Sequence, residues 1–169
     1  MLPKIIKDAI LSVDGIGYAG RVENIDWPKL ARKMEEYRAG GMHGPVEIDM
    51  GGEKLEMSFE TLEQDADLIS QYGVCSVNGV RFRINASAES DNPDCDSDGI
   101  EVICTGRFNE IELGSYKGGD PQKTKYAVAL ATFKYSRNGE PLLDIDYANN
   151  IFVVNKVDLL EKRRENLRM

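Results

Sequence analysis

The stretch Ala31-Arg-Lys-Met-Glu-Glu-Tyr-Arg38, followed by Gly40-Gly41-Met42-His43-Gly44-Pro45 and Val46-Glu-Ile-Asp-Met50, decides how this chain is read. The residues of its first arm are good helix formers, and propensity alone would make Ala31 to Arg38 a helix. The second arm argues otherwise. Val46, Ile48 and Met50 alternate with Glu47 and Asp49, a period of two that belongs to a strand. Between the arms lies a turn-rich tip. A glycine-rich turn joining an alternating arm to its predecessor predicts a long β-hairpin, from about Leu30 to Leu55, with Ala31 to Arg38 as its first strand. If Val46, Ile48 and Met50 meet the protein core, Glu47 and Asp49 point the other way.

Outward from the hairpin, strand signals continue. Gly51-Gly52 bends the chain, and Leu55, Met57 and Phe59 then alternate with Glu56, Ser58 and Glu60. Ala9 to Val13 reads as a strand ended by Asp14-Gly15. Asn78-Gly79 and Asn138-Gly139 are the sharpest hairpin signals, because both residue types tolerate positive φ. A second long antiparallel pair is expected over about residues 102–135, around Gly114-Ser-Tyr-Lys-Gly-Gly-Asp-Pro121. In Gly106 to Leu113, alternation puts Phe108, Glu110 and Glu112 on one side, with Arg107, Asn109 and Ile111 on the other. One helix is predicted over Thr61 to Tyr72, with Leu62, Leu68, Ile69 and Tyr72 near one face and Gly73 as its stop. The C-terminal Asn155 to Leu167 reads as a short helix or an arm, with a basic cluster at Lys162-Arg163-Arg164. The fold class is mainly β: an antiparallel sandwich or barrel with one flanking helix, in a single domain over residues 1–169.

Composition narrows the function. The 169 residues carry 21 Lys and Arg against 29 Asp and Glu, for a net charge of −8. The mean hydropathy is −0.40. An acidic chain is a poor candidate for gripping nucleic acid, which calls for clustered cations. No apolar run approaches the roughly 18 residues of a membrane span, so no membrane anchor is expected. The N-terminus lacks the apolar core of a secretory signal, which reads as a protein made in the cytosol. Cys75, Cys95 and Cys104 fit no zinc spacing and read as free thiols, although one disulfide among them is open. No enzyme is indicated: the lone His43 sits in a glycine-rich tip with nothing placing a thiol beside it, no nucleotide loop is present, and no cofactor is expected. Asp94-Cys-Asp96-Ser-Asp98-Gly99 matches the first half of a calcium loop, but Thr105 stands where a bidentate Glu is needed. A calcium-binding module on Asp94, Asp96 and Asp98 is therefore a minor alternative to a solvated acidic loop.

Ordered short motifs then carry a resemblance over nearly the whole chain. Leu11-Ser-Val-Asp-Gly15, Tyr18-Ala-Gly20, Pro28-Lys-Leu30, Glu36-Tyr-Arg-Ala-Gly-Gly-Met42 and Pro45-Val-Glu-Ile-Asp-Met-Gly51 come first. They are followed by Gly106-Arg-Phe-Asn-Glu-Ile-Glu112, Lys125-Tyr-Ala-Val-Ala129 and Asn155-Lys-Val-Asp-Leu-Leu160 with Arg164 and Asn166. This series resembles the major tail tube proteins of P2-like contractile phages and R-type pyocins. Only the acidic segment Ala86 to Asp98 departs from that pattern. The resemblance implies a subunit of the inner tube of a contractile tail, located in a virion or tail-like particle and assembled in the host cytoplasm. Its two hairpins would join those of neighbouring copies into an inner barrel, and hexameric rings would stack into a conduit for DNA or ions through the host envelope. Implied partners are further copies of the chain, the tail sheath, baseplate or initiator and tape-measure proteins, and DNA that passes without specific binding. Met1 to Asp8 and the tip would meet an adjacent ring or subunit. Gly40, Gly41, Met42, His43 and Ile48 become inter-subunit candidates, and Glu47, Asp49, Glu110 and Glu112 lumen-facing ones. A type VI secretion tube protein is the alternative of the same class, against which Glu36 to Met42 speaks.

Overall fold

A computed structural model describes all residues from Met1 to Met169. Twelve strands and two helices follow one another along the chain. They are β1 (Ile5–Val13), β2 (Ile16–Gly17), β3 (Val22–Asp26), β4 (Arg32–Tyr37), β5 (Val46–Gly52), β6 (Leu55–Thr61), α1 (Ala66–Ser70), β7 (Val80–Glu89), β8 (Ser97–Glu112), β9 (Thr124–Arg137), β10 (Glu140–Asp146), β11 (Ile151–Val154), β12 (Val157–Asp158) and α2 (Glu161–Leu167). All pairings are antiparallel, and the main sheet runs β12-β11-β10-β9-β8-β7-β1-β2.

The sheet folds over on itself because β9 changes partner along its length. Its first half, Thr124 to Leu130, pairs with β6, and its second half, Thr132 to Arg137, pairs with β10. That switch carries β6, with β3 on its far side, across the core to face β7. Alternating residues of both walls point inward: Leu55, Met57 and Phe59 from β6, and Val80, Phe82 and Ile84 from β7, all buried. Phe59 stacks on Tyr126 with ring centroids 5.0 Å apart and reaches Phe82 across the roll at 6.4 Å. Phe108 meets Phe82 edge-on at 5.5 Å. Pairs of this kind add about 0.5–1.5 kcal/mol each beyond burial.

Two irregularities shape β8. The register against β9 shifts between Thr105 and Gly106 and again between Phe108 and Glu110. At the first, Gly106 lies against the partner strand so closely that a Cβ there would stand 2.2 Å from the Ala129 carbonyl oxygen. At the second, Asn109 is the extra residue. Phe108 is therefore buried while Glu110 and Glu112 face outward, and strict alternation no longer puts all three on one side.

Several expectations need correction. The helix over Thr61 to Tyr72 is much shorter, because Thr61 is drawn into the β6–β9 ladder opposite Thr124. α1 begins only after Asp65, whose carboxylate accepts from the Asp67 and Leu68 amides at 2.9 and 3.1 Å, and Gln71 to Gly73 form a 3-10 turn. Asn78-Gly79 is not a hairpin turn. It leads from that 3-10 turn into β7, and the strands on either side, β6 and β7, face each other instead of pairing. Asn138-Gly139 does join two paired strands, β9 and β10, with φ of 51° and 79°. All three cysteines are free, and burial pushes the Cys104 thiol up to about 12.

Two measurements check this packing. Gly106→Ala should lower stability by about 1–3 kcal/mol in urea titrations, because the new methyl must displace backbone. A thiol reagent at neutral pH should label Cys75 and Cys95, both exposed, and reach the buried Cys104 only after unfolding.

Candidate assembly surface

The hairpin expected at Leu30 to Leu55 is present, and its first arm is a strand despite its helical propensity. β4 pairs only with β5, as a two-stranded sheet of its own. Directly opposed residues are Tyr37 and Val46, Glu36 and Glu47, Glu35 and Ile48, and Met34 and Asp49. Because opposed residues share a face, Glu35, Tyr37, Val46 and Ile48 lie on one side, and Met34, Glu36, Glu47 and Asp49 on the other. The expectation that Val46, Ile48 and Met50 meet the chain's own core is overturned: they are 49, 44 and 55 % exposed. No wall of the roll lies over this sheet to bury them. An isolated two-stranded sheet is at best marginally stable in water, and the carboxylates of Glu36 and Glu47 are like charges placed directly opposite, which weakens it further.

The hairpin is fixed at its base. The Tyr147 hydroxyl donates to the Glu53 carbonyl at 2.7 Å, and the Glu53 amide donates to the Ala31 carbonyl at 2.9 Å. Gly52 permits this: a Cβ there would stand 2.3 Å from the Tyr147 Oη. The Arg32 guanidinium lies 5.8 Å from the Phe152 ring centre and 3.5 Å from an Asp49 oxygen. Between this base and the β10–β11 layer runs a groove of about 520 Å³, with Leu30, Ile151 and Leu160 among its apolar walls. At the far end, the tip turns through Gly41 at a φ of 86°, and the Ala39 amide contacts the Met42 sulfur at 3.2 Å. Gly40 and His43 are exposed there.

Glu110 and Glu112 lie elsewhere, on the outer face of the rolled sheet. They oppose Ala127 and Lys125 of β9, which in turn oppose Ser58 and Glu60 of β6. Asp26 joins through a 2.7 Å bond from the Ser58 hydroxyl. A cleft of about 420 Å³ on this face is lined by Asp26, Glu56, Glu110 and Glu112, with Lys29 and Lys125 as its cations. Sequence reading missed Asp26, Glu56 and Glu60 as members of this surface. The alternation of Leu55 to Glu60 was the signal for the two glutamates.

Asp94, Asp96 and Asp98 do not converge on a cation site, and the chain has no group of three or more His, Cys, Asp or Glu placed to hold a metal. The Lys4 ammonium contacts both Asp96 and Asp98, and β8 already begins at Ser97. In the C-terminal basic cluster, Arg164 is engaged by Asp158 and by the Asn150 carbonyl.

An aromatic-centred body that carries a hairpin with both faces in water is the architecture of a structural assembly subunit. The chain belongs to the phage tail tube protein FII family, which it matches over residues 3–167. It is 31% identical over 169 residues to the tail tube protein of Escherichia phage P2, covering 98% of both chains. It is 33% identical over 153 residues to the major tail tube protein of Serratia phage KSP20, covering 89% of this chain and 87% of that one. Among solved structures, a chain of the extended PVC sheath–tube complex of an extracellular contractile injection system shares the fold. Its TM-score is 0.57 at 11% identity, over 76% of this chain and 87% of that one. The family and the two phage relatives support the tail tube reading over the type VI alternative.

The base anchor makes a specific prediction. Tyr147→Phe, which removes only the hydroxyl, should speed hydrogen exchange at the amides of β4 and β5 several-fold while leaving the β7 core amides unchanged.

Proposed function

We propose that this tail tube protein polymerises through its β4–β5 hairpin into hexameric rings that stack as the inner tube of a contractile tail. The carrying observation is the hairpin itself, whose strands have no partner beyond each other and whose apolar side chains have no cover in one copy. Free strand edges are hazards that closure removes. A ring closes through a heterologous interface in which one patch meets a different patch on the next copy. Gly40, Gly41, Met42, His43 and Ile48 belong to that interface, with Ile48 on its apolar side. The role is structural, with no catalytic step assigned to it.

The same reading gives the bore its charge. Glu47 and Asp49, opposite to Ile48, and the outer-face carboxylates Glu110 and Glu112 line the lumen, joined by Asp26, Glu56 and Glu60. DNA carries about one negative charge per 1.7 Å of its axis, so acidic walls let it slide where basic walls would hold it. A sheath surrounds the tube, as the sheath–tube complex of the PVC neighbour suggests. Baseplate or initiator and tape-measure proteins start the tube and set its length. Assembly takes place in the host cytoplasm, and the finished tube resides in the virion tail or a tail-like particle.

Negative-stain microscopy and sedimentation of the purified chain test this. Rings or tubes are expected for the unaltered protein. Ile48→Pro removes a ladder donor from the hairpin and should abolish them while circular dichroism stays β-rich. Normal tubes from that variant would remove the hairpin from the interface. In an assembled tube, Glu47 or Asp49 facing the sheath would remove both residues from the lumen.

A further inference from the structure

The acidic segment that departs from the family resemblance has an occupant, and it comes from the same chain. The turn between β7 and β8 grips the first residues of the protein at three points. Asn92 acts as a surrogate strand: the Leu2 amide donates to its Oδ1 at 2.8 Å, and its Nδ2 donates back to the Leu2 carbonyl at 3.0 Å. The Lys4 Nζ sits 2.5 Å from Asp96 Oδ2 and 2.8 Å from Asp98 Oδ1. The Lys7 Nζ reaches Asp91 Oδ1 at 2.8 Å and Glu89 Oε2 at 3.7 Å.

Asp98 is the hub of this cluster. Its side chain is only 12 % exposed. Asn138 Nδ2 donates to its Oδ1 at 2.9 Å, and Arg137 donates to its Oδ2 through Nε and Nη2 at 2.9 and 2.6 Å. Two separate stretches, the N-terminal arm and the β9–β10 turn, therefore converge on one carboxylate at the start of β8. The bonds from Asn138, Lys4 and Arg137 hold Asp98 well below the ordinary carboxylate range. The bonds to Asp96 and Asp98 raise Lys4 above the usual lysine value.

Apolar burial does little for the arm. Ile5 and Ile6 are exposed, as is Leu2. The register of β1 against β7 is broken between Ile6 and Asp8, at Lys7. Beyond the two-residue ladder of Ile5 and Ile6 against Glu89 and Ala88 of β7, what fixes the arm is charge and the Asn92 bracket; salt screens the exposed Lys7 pairs over a distance of about 10 Å at 0.1 M, and the part-buried Lys4–Asp98 pair less. We propose that the Glu89–Asp98 turn is a charge clasp that holds residues 2–7 in place and releases them when its charges are screened or removed. Clasped, residues 2–4 prolong β1 and hold Ile5 and Ile6 exposed on opposite faces of the end of the sheet. Released, the same residues form a flexible tail. Ionic strength thus selects which surface this end offers to another copy of the chain. The clasp is a property of the single subunit and stands whether or not the ring reading holds.

Hydrogen exchange on the full chain, kept unassembled at low concentration, tests it. Raising NaCl from about 50 mM to about 1 M should speed exchange over residues 2–8 about tenfold, with the β7 amides of Phe82 and Ile84 unchanged. Lys4→Met should show the fast rate already at low salt, while leaving the Asp98–Arg137 pair intact, and Lys4→Arg should restore the slow one. Asn92→Ala should speed the arm at every salt concentration. An arm whose exchange ignores both salt and Lys4→Met overturns the clasp. So does an arm that loosens only together with Phe82 and Ile84, because it is then part of the cooperative fold and not a separable device.

Discussion

The contact of Phe59 with Tyr126, seconded by Phe108 and Phe82, is what the rest of the molecule depends on. A sheet that exchanges one neighbour for another in mid-strand must curl, and something has to fill the space inside the curl. The aromatic group fills it from both walls at once, with centroid separations between 5.0 and 6.4 Å. The outer face of the curl is left to carboxylates, because alternation along β6 and β9 sends Glu56, Ser58, Glu60 and Lys125 away from the aromatic core. The acidic surface is thus a geometric by-product of the core pattern.

The hairpin stands in contrast to this body. Its apolar residues are as numerous as those of an ordinary buried strand, yet they face water. In a chain that ended its life as a monomer this would be an aggregation hazard. Two features limit the hazard. The ends of the main sheet are two-residue strands, β2 and β12, and the edge of β1 carries Lys4, Lys7 and a register break. Association through much of the body's own sheet edge is thereby disfavoured.

How much of this could be read from the sequence depended on whether the signal was local. Alternation from Val46 to Met50 and the Gly40-Gly41 tip located the hairpin, and strand pairing overrode the helical propensity of Ala31 to Arg38. The second pair, β8 and β9, was legible for the same reason. What failed depended on distant partners. Thr61 is a strand residue because Thr124 lies across from it, and Asn78-Gly79 bounds no hairpin because β7 pairs with β1 and β8 instead of β6. The bulge at Asn109 is invisible to an alternation count, although it alone separates Phe108 from Glu110. The apolar face of the hairpin was read correctly as a face and wrongly as buried in the chain's own core, since sequence periodicity carries no information about what lies over a face. Likewise the Asp94 to Asp98 run suggested a metal loop because nothing nearby announces that Lys4, some ninety residues away, reaches into it.

The separateness of β4 and β5 from the aromatic core also bears on how such a chain can change over time. Substitutions in the hairpin leave the core contacts of the body untouched, so folding imposes little purifying constraint on Met34, Tyr37, Val46 or Ile48. In the proposed ring, compatibility between copies imposes nearly all of it. A lineage can drift in these positions as long as both sides of the interface drift together, until its subunits no longer co-assemble with those of a related particle in the same cell. In such a ring, structural independence of the hairpin would supply a route to reproductive isolation between tails without any loss of fold.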